Sequence, residues 1–167
     1  MNKKKQNTSE IPAYIREMLH DPPDILRGFH SDDLLDFLEI GIKEDYKNND
    51  VIINKSDYVN SAYLVCMGSV AVWDEDIELA TLQEKSFMGE TFLFSDTVRM
   101  SKIVSVDDSL LLRFQRHDML QFFKKKPAKL FNIFTRNIIY IQQQKIKSMN
   151  SQLLRLKKKL LENEIQH

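Results

Sequence analysis

Between Val51 and Phe114 short β-prone runs recur about every eight to twelve residues, and this rhythm limits the possible folds more than any other feature of the chain. The runs are Val51-Ile-Ile, Ala62-Tyr-Leu-Val-Cys-Met, Val70-Ala-Val-Trp, Ile77-Glu-Leu-Ala, Ile103-Val-Ser-Val and Leu110-Leu-Leu-Arg-Phe. Turn-forming clusters such as Lys47-Asn-Asn-Asp, Asp74-Glu-Asp and Asp107-Asp-Ser divide them, so an antiparallel sandwich or barrel is expected. Phe87-Met-Gly-Glu-Thr-Phe-Leu-Phe-Ser, in the middle, is too punctuated to be a strand.

Helical patterns flank the strands. Ile11, Tyr14, Ile15, Met18 and Leu19 repeat at helical spacing until Asp21-Pro22-Pro23 stops them, and Ile25, Leu26 and Phe29 form a second short helix. Ser31 reads as the N-cap of a third, with Asp32 and Asp33 in its first turn and Leu34, Leu35, Phe37, Leu38 and Ile42 as its apolar stripe. Toward the other end, Asp118 to Phe123 is a short helix, Lys124 to Pro127 a break, and one long helix runs from Ala128. The fold class expected is α+β, mainly β, with N-terminal helices, an antiparallel β-barrel or jelly roll and a long C-terminal helix. Its divisions fall at 1–28, 29–127 and 128–167.

The long helix carries two stripes. Phe131, Phe134, Ile138 and Ile141 are expected to pack on the sheet. Ile139, Gln142, Ile146, Met149, Leu153, Leu156 and Leu160 alternate steps of three and four, a heptad seam lying too far along the helix to be core packing. The seam calls for a partner helix, most economically that of a second copy. In a parallel pair Gln142 would fix register, and Lys159 would reach Glu164 of the other chain.

A formal net charge of zero hides an asymmetry: residues 1–118 hold 13 Lys/Arg against 22 Asp/Glu, and residues 119–167 hold 11 against 2. The basic segment invites anionic partners or self-neutralisation. The runs Lys3–Lys5, Lys124–Lys126 and Lys157–Lys159 read as solvated faces, and Asp74-Glu75-Asp76 reads as a hairpin turn. The start of the chain lacks an apolar signal core, no apolar run reaches membrane-spanning length, and Cys66 has no disulfide partner, all of which fit a cytoplasmic protein. Cys66 is expected to be a small core residue. His20, His30, His117 and His167 show no metal-ligand spacing, so no metal is expected. No nucleophile–base pair or Walker loop argues for an enzyme.

The order of elements, together with Gly89-Glu90-Thr91-Phe92-Leu93 and the later Arg99-Met100-Ser101, resembles the cyclic-nucleotide-binding domain. That domain is shared by the catabolite activator family of bacterial regulators and the regulatory subunits of cyclic-AMP-dependent kinase. The resemblance spans about Phe29 to Gln144, and Gly68-Ser69-Val70-Ala-Val is similar to the family's glycine-containing turn between early strands. It implies a phosphate-binding cassette in which Gly89, Glu90, Thr91, Phe92, Arg99, Met100 and Ser101 contact phosphate and ribose. Gln144 and Lys145, by position on the long helix, would close off the base.

The chemistry suits these residue types. A cyclic phosphodiester needs a permanent forked cation, which Arg99 supplies, and backbone amides brought close by Gly89. Phosphate would repel Glu90, so its place is at a ribose 2′-hydroxyl, or else it braces the turn. Ser101 offers a hydroxyl to phosphate or base. Several positions depart from the family pattern. Phe92 stands where a small residue is usual and would narrow the pocket, Met100 and Ser101 replace a small pair, and Asp50 and Ser56 replace glycines.

The function expected is a homodimeric signalling module for a cyclic nucleotide, acting on an unidentified downstream protein and using no other cofactor. Absence of Thr after Arg99 leans the ligand toward cyclic AMP. The alternative is a degenerate fold serving as an interaction scaffold. Direct DNA binding is not expected, because Lys145 to Lys159 overlaps the seam instead of preceding it and no helix-turn-helix follows the long helix.

Overall fold

The computed structural model describes residues 11–94 and 98–165, without the side chains of Thr91 and residues 163–165. Lys3–Lys5, His167 and the Glu164 side chain lie outside the described residues. Helices α1 (Ala13–His20) and α2 (Ser31–Glu39), with a 3-10 turn at Asp24–Leu26 between them, lead into eight strands. The strands are β1 (Ile42–Tyr46), β2 (Val51–Ile53), β3 (Ser61–Met67), β4 (Val70–Asp74), β5 (Ile77–Leu82), β6 (Phe87–Met88), β7 (Lys102–Ser105) and β8 (Ser109–Gln115). A second 3-10 turn, Glu90–Leu93, follows β6, and α3 (Arg116–Lys124) and α4 (Ala128–Ile165) complete the chain.

Two four-stranded antiparallel sheets, ordered β1-β8-β3-β6 and β2-β7-β4-β5, pack in a jelly-roll-like sandwich and do not close into a barrel. β3 reads as an unbroken apolar run because both its faces are covered. Ala62, Leu64 and Cys66 turn toward the helices, whereas Tyr63 and Val65 turn toward the second sheet with Ile53, Val70, Met88, Ile103 and Leu111. On the helical side Phe37 is the hub, its ring stacked 4.9 Å from that of Phe114 and in edge contact with Phe122. Cys66 is the small core residue expected: burial pushes its thiol up to about 12, so it stays protonated and inert.

Ile42 does not extend the stripe of α2, which ends at Glu39, but opens β1 opposite Arg113 of β8. Gly41 makes the crossing, since a Cβ there would lie 3.0 Å from both Leu112 and Phe114. His30, not Ser31, occupies the cap position of α2, and no side chain caps it. Phe87-Met88 is a strand after all, brief but paired with Tyr63 and Leu64. Lys126 is not solvated, for its ammonium bonds Asp33 at 2.8 Å and Asp36 at 2.6 Å, tying the break before α4 to α2.

The first half of α4 lies on the body. Leu130, Phe134 and Ile138 are buried, and the amide of Asn137 donates to the carbonyls of Ile25 (3.0 Å) and Arg27 (2.8 Å). From Gln143 to Glu162 every residue is exposed, including Ile146, Met149, Leu153, Leu156 and Leu160. Leu154 and Leu161, outside the expected stripe, are exposed as well.

Candidate functional site

Gly89 leaves β6 with φ +79°, a conformation that favours glycine, and hands the chain to the turn Glu90–Leu93. A Cβ at this position would lie 2.5 Å from Nη1 of Arg99, so the missing side chain is what lets the guanidinium lie against the turn. Backbone pairing holds Arg99 from the other side: its N–H donates to Asp57 O (2.8 Å), and its carbonyl accepts from the N–H of Ser56 (2.9 Å). Nη2 donates to Ser61 O at 2.5 Å, and the guanidinium carbon stands 6.0 Å from the Tyr63 ring centroid, at the outer limit of a cation–π contact. Burial lowers the Arg99 pKa from its ordinary value, with Tyr63, Asp57 and Glu90 acting in the opposite direction. The left-handed residues near the first strands are Asn49 (φ 69°) and Ser56 (φ 73°), so of the two expected glycine replacements only Ser56 carries the unusual conformation.

Opposite the arginine sits Glu90, 4% exposed. Its Oε1 accepts hydrogen bonds from the Gln142 amide and the Lys145 ammonium, both on α4. Positions 142 and 145 are one helical turn apart and share a face, so a single carboxylate fastens the helix just where it leaves the body. Arg99, Glu90, Gln142 and Lys145 line one cavity of about 660 Å³, together with Gly89 and Ser101. Ile53, Val59, Met88, Val98, Met100 and Ile103 supply its apolar wall. The cavity therefore offers an anion-binding guanidinium, a carboxylate that can only accept when ionised, and a greasy surface for a flat ring.

Several expectations change here. Phe92 is fully buried in the main core and its side chain does not line the cavity; the Phe92 N–H donates to Gly89 O and closes the turn. Gln142, expected in the seam, lines this cavity, where its amide donates to Glu90. Gln144 is exposed and absent from the cavity lining, whereas Lys145 lines it. Met100 and Ser101 both line the cavity, Met100 being 84% exposed. The Thr91 side chain lies outside the described residues. Gln142 carried a signal that the heptad obscured: it precedes Lys145 by one turn and so shares its face of the helix.

Asp74–Asp76 forms the β4–β5 turn, with Glu75 at φ 52°. Among the described residues no cluster of His, Cys, Asp and Glu could hold a metal, and no helix is long and apolar enough to cross a membrane.

The family model for the cyclic nucleotide-binding domain matches residues 43–126, just over half of the chain. Among solved structures, the chain is similar to a cyclic nucleotide-binding domain from Methylobacillus flagellatus at TM-score 0.75 and 13% identity, covering 84% of this chain and 83% of that one. The catabolite activator protein of Thermus thermophilus gives TM-score 0.67 at 20% identity, covering 80% of this chain and 62% of its own. A cyclic nucleotide-binding domain of a cyclic-AMP-dependent kinase regulatory subunit bound to Sp-2Cl-cAMPS gives TM-score 0.62 at 14% identity, covering 78% of this chain and 89% of its own. Compared with the curated proteins, the sequence finds no match.

Proposed function

Since the chain belongs to the cyclic nucleotide-binding domain family, we propose that it is a cytoplasmic regulatory module that binds a cyclic purine nucleotide, not an enzyme, and signals through α4 as a homodimer. The observation that carries the reading is Arg99 lying over Gly89 and across one cavity from the buried Glu90. The phosphodiester belongs at Arg99, where a forked cation and close backbone meet it, and the ribose 2′-hydroxyl at Glu90. Met100 in place of threonine after Arg99 favours cyclic AMP on sequence grounds, while the base edge itself meets side chains of the long helix.

The exposed stripe from Ile146 to Leu160 supports self-association, because five apolar side chains between 52% and 65% exposed cannot be covered by their own body. Heptad register adds to this. In a parallel pair the flanking positions set Lys145 against Asn150, Gln152 against Lys157 and Lys159 against Glu164, so no like charges face each other. A downstream protein would then sense the helix pair, with no direct DNA contact required.

The scaffold reading has one observation in its favour: the oxygen meant for a ribose is already held by Gln142 and Lys145. A thermal-shift screen of cyclic mono- and dinucleotides separates the two. A bound ligand at a hundredfold excess over Kd stabilises by about 2.7 kcal/mol, or roughly 5 to 11 °C in Tm for a chain of this size. No shift with any of them leaves the scaffold.

A further inference from the structure

We infer that the second half of α4 is an interfacial helix, lying along an anionic lipid surface with its apolar face at the acyl boundary and its cations among the headgroups. No helix of the described residues is long and apolar enough to cross a membrane, so the contact is one of lying on the surface. The inference is independent of the nucleotide cavity.

The width of the apolar face carries it. At about 100° per residue, the five exposed seam side chains from Ile146 to Leu160 fill an arc of about 80°, the share of a helix that one partner helix covers. Leu154 and Leu161, 57% and 59% exposed, stand beyond that arc and widen it to about 160°. A second copy of the helix would leave both in water, whereas a flat apolar boundary covers the whole face. Asn150 and Lys157 are the polar exceptions within it, and a lysine stem can lie along leucines while its ammonium reaches outward.

Charge identifies the surface. The opposite arc holds Lys145, Lys147, Arg155, Lys158 and Lys159, and no acid occurs between Asp118 and Glu162. Such a face is drawn to anionic headgroups, by a factor of about five in affinity for each cation near them. The acidic body does not cancel this attraction. The exposed run from Gln143 to Glu162 is 20 residues, about 30 Å of helix, against a Debye length of about 8 Å at physiological ionic strength. A nucleic acid would use the cations but leave the apolar arc wet. Lipid and a partner helix compete for the five seam residues, so the self-associated form proposed above is the one free of lipid, in which the cations stay solvated.

Flotation of the full chain with vesicles of equimolar phosphatidylcholine and phosphatidylserine, and with phosphatidylcholine alone, tests this. Wild type is expected to float with the mixed vesicles and not with the neutral ones. Raising the salt from about 0.1 M to about 1 M, which shortens the Debye length from about 10 Å to about 3 Å, should release part of it. Leu154→Gln with Leu161→Gln should weaken partitioning at least about 10-fold, while sedimentation finds self-association unaltered because the seam is intact. Lys147→Gln with Arg155→Gln should weaken it about 30-fold. All four positions are exposed, so an unchanged Tm is expected to show that the body of each variant is folded. A wild type that floats with neither vesicle, or equally with both, overturns the inference. So does a leucine variant that floats like wild type, since charge alone would then account for the binding.

Discussion

Leu130, Phe134 and Ile138 on the first half of α4 are almost wholly covered, whereas Ile146, Leu153 and Leu160 on the second half are more than half exposed. The two halves use similar side chains at similar helical spacing, so residue type does not decide their burial. What lies opposite does. The first half meets Phe37, Phe87 and Phe123 of its own chain, and the second has run beyond every element of the body. The Glu90 contact marks the boundary, since Gln142 is the last half-covered residue before the exposed run and Lys145 lies within its first turn. A helix segment without tertiary cover is marginal, so the second half owes its order to continuity with the first and to any partner it acquires.

The largest effect is expected on the first half of α4. Phe134→Ala should destabilise the fold by about 3–5 kcal/mol, read as a lowered urea midpoint, because the ring touches four other aromatic side chains. A midpoint within error of wild type would mean that α4 is not anchored by this packing. Phe92→Ala, in the same core, should cost a comparable amount and give no gain in ligand affinity; tighter binding would return Phe92 to the pocket.

On the second half, Leu153→Glu with Leu156→Glu should yield a monomer by sedimentation while the body keeps its melting behaviour, because no buried residue is altered. A wild type already monomeric at tens of micromolar would remove the proposed partner helix. At the cavity, Arg99→Ala should weaken nucleotide binding about 10- to 200-fold, corresponding to roughly 1.5 to 3 kcal/mol for a charge-assisted contact. Calorimetric affinities that match wild type would refute the cassette. The smallest effect is expected where the helix is most exposed: Lys157, Lys158 and Lys159 replaced together by Gln should leave association and ligand affinity unchanged. Salt-sensitive retardation of DNA by wild type, lost in the triple variant, would give those lysines a binding role instead.

Six of the eight strands were legible because each pairs an apolar run with a turn signal. β1 was not, since Lys43, Glu44 and Asp45 give an edge strand the look of a loop; only its pairing with β8 makes it a strand. β6 escaped for a different reason, two residues being too short to show any period. At the site, Gly89, Glu90 and Arg99 were reached through the motif that carries the family resemblance, which is local to one turn and one returning loop. The placement of Phe92 and Gln142 could not be read, because whether a side chain faces core, cavity or solvent is set by elements distant in sequence. For Gln142 the deciding neighbour, Glu90, is 52 residues away.

Gly89 and Arg99 contend for one small volume, since a methyl group at 89 would come within 2.5 Å of the guanidinium. The two positions therefore form one heritable unit. A lineage that acquires a side chain at 89 must already tolerate a displaced arginine, and one that has lost the arginine leaves 89 free to drift as far as its φ of +79° permits. Alanine at 89 would have to hold a backbone at φ +79° and push the tip of the guanidinium aside. The smallest side chain at that turn thus sets where the longest one across from it comes to rest.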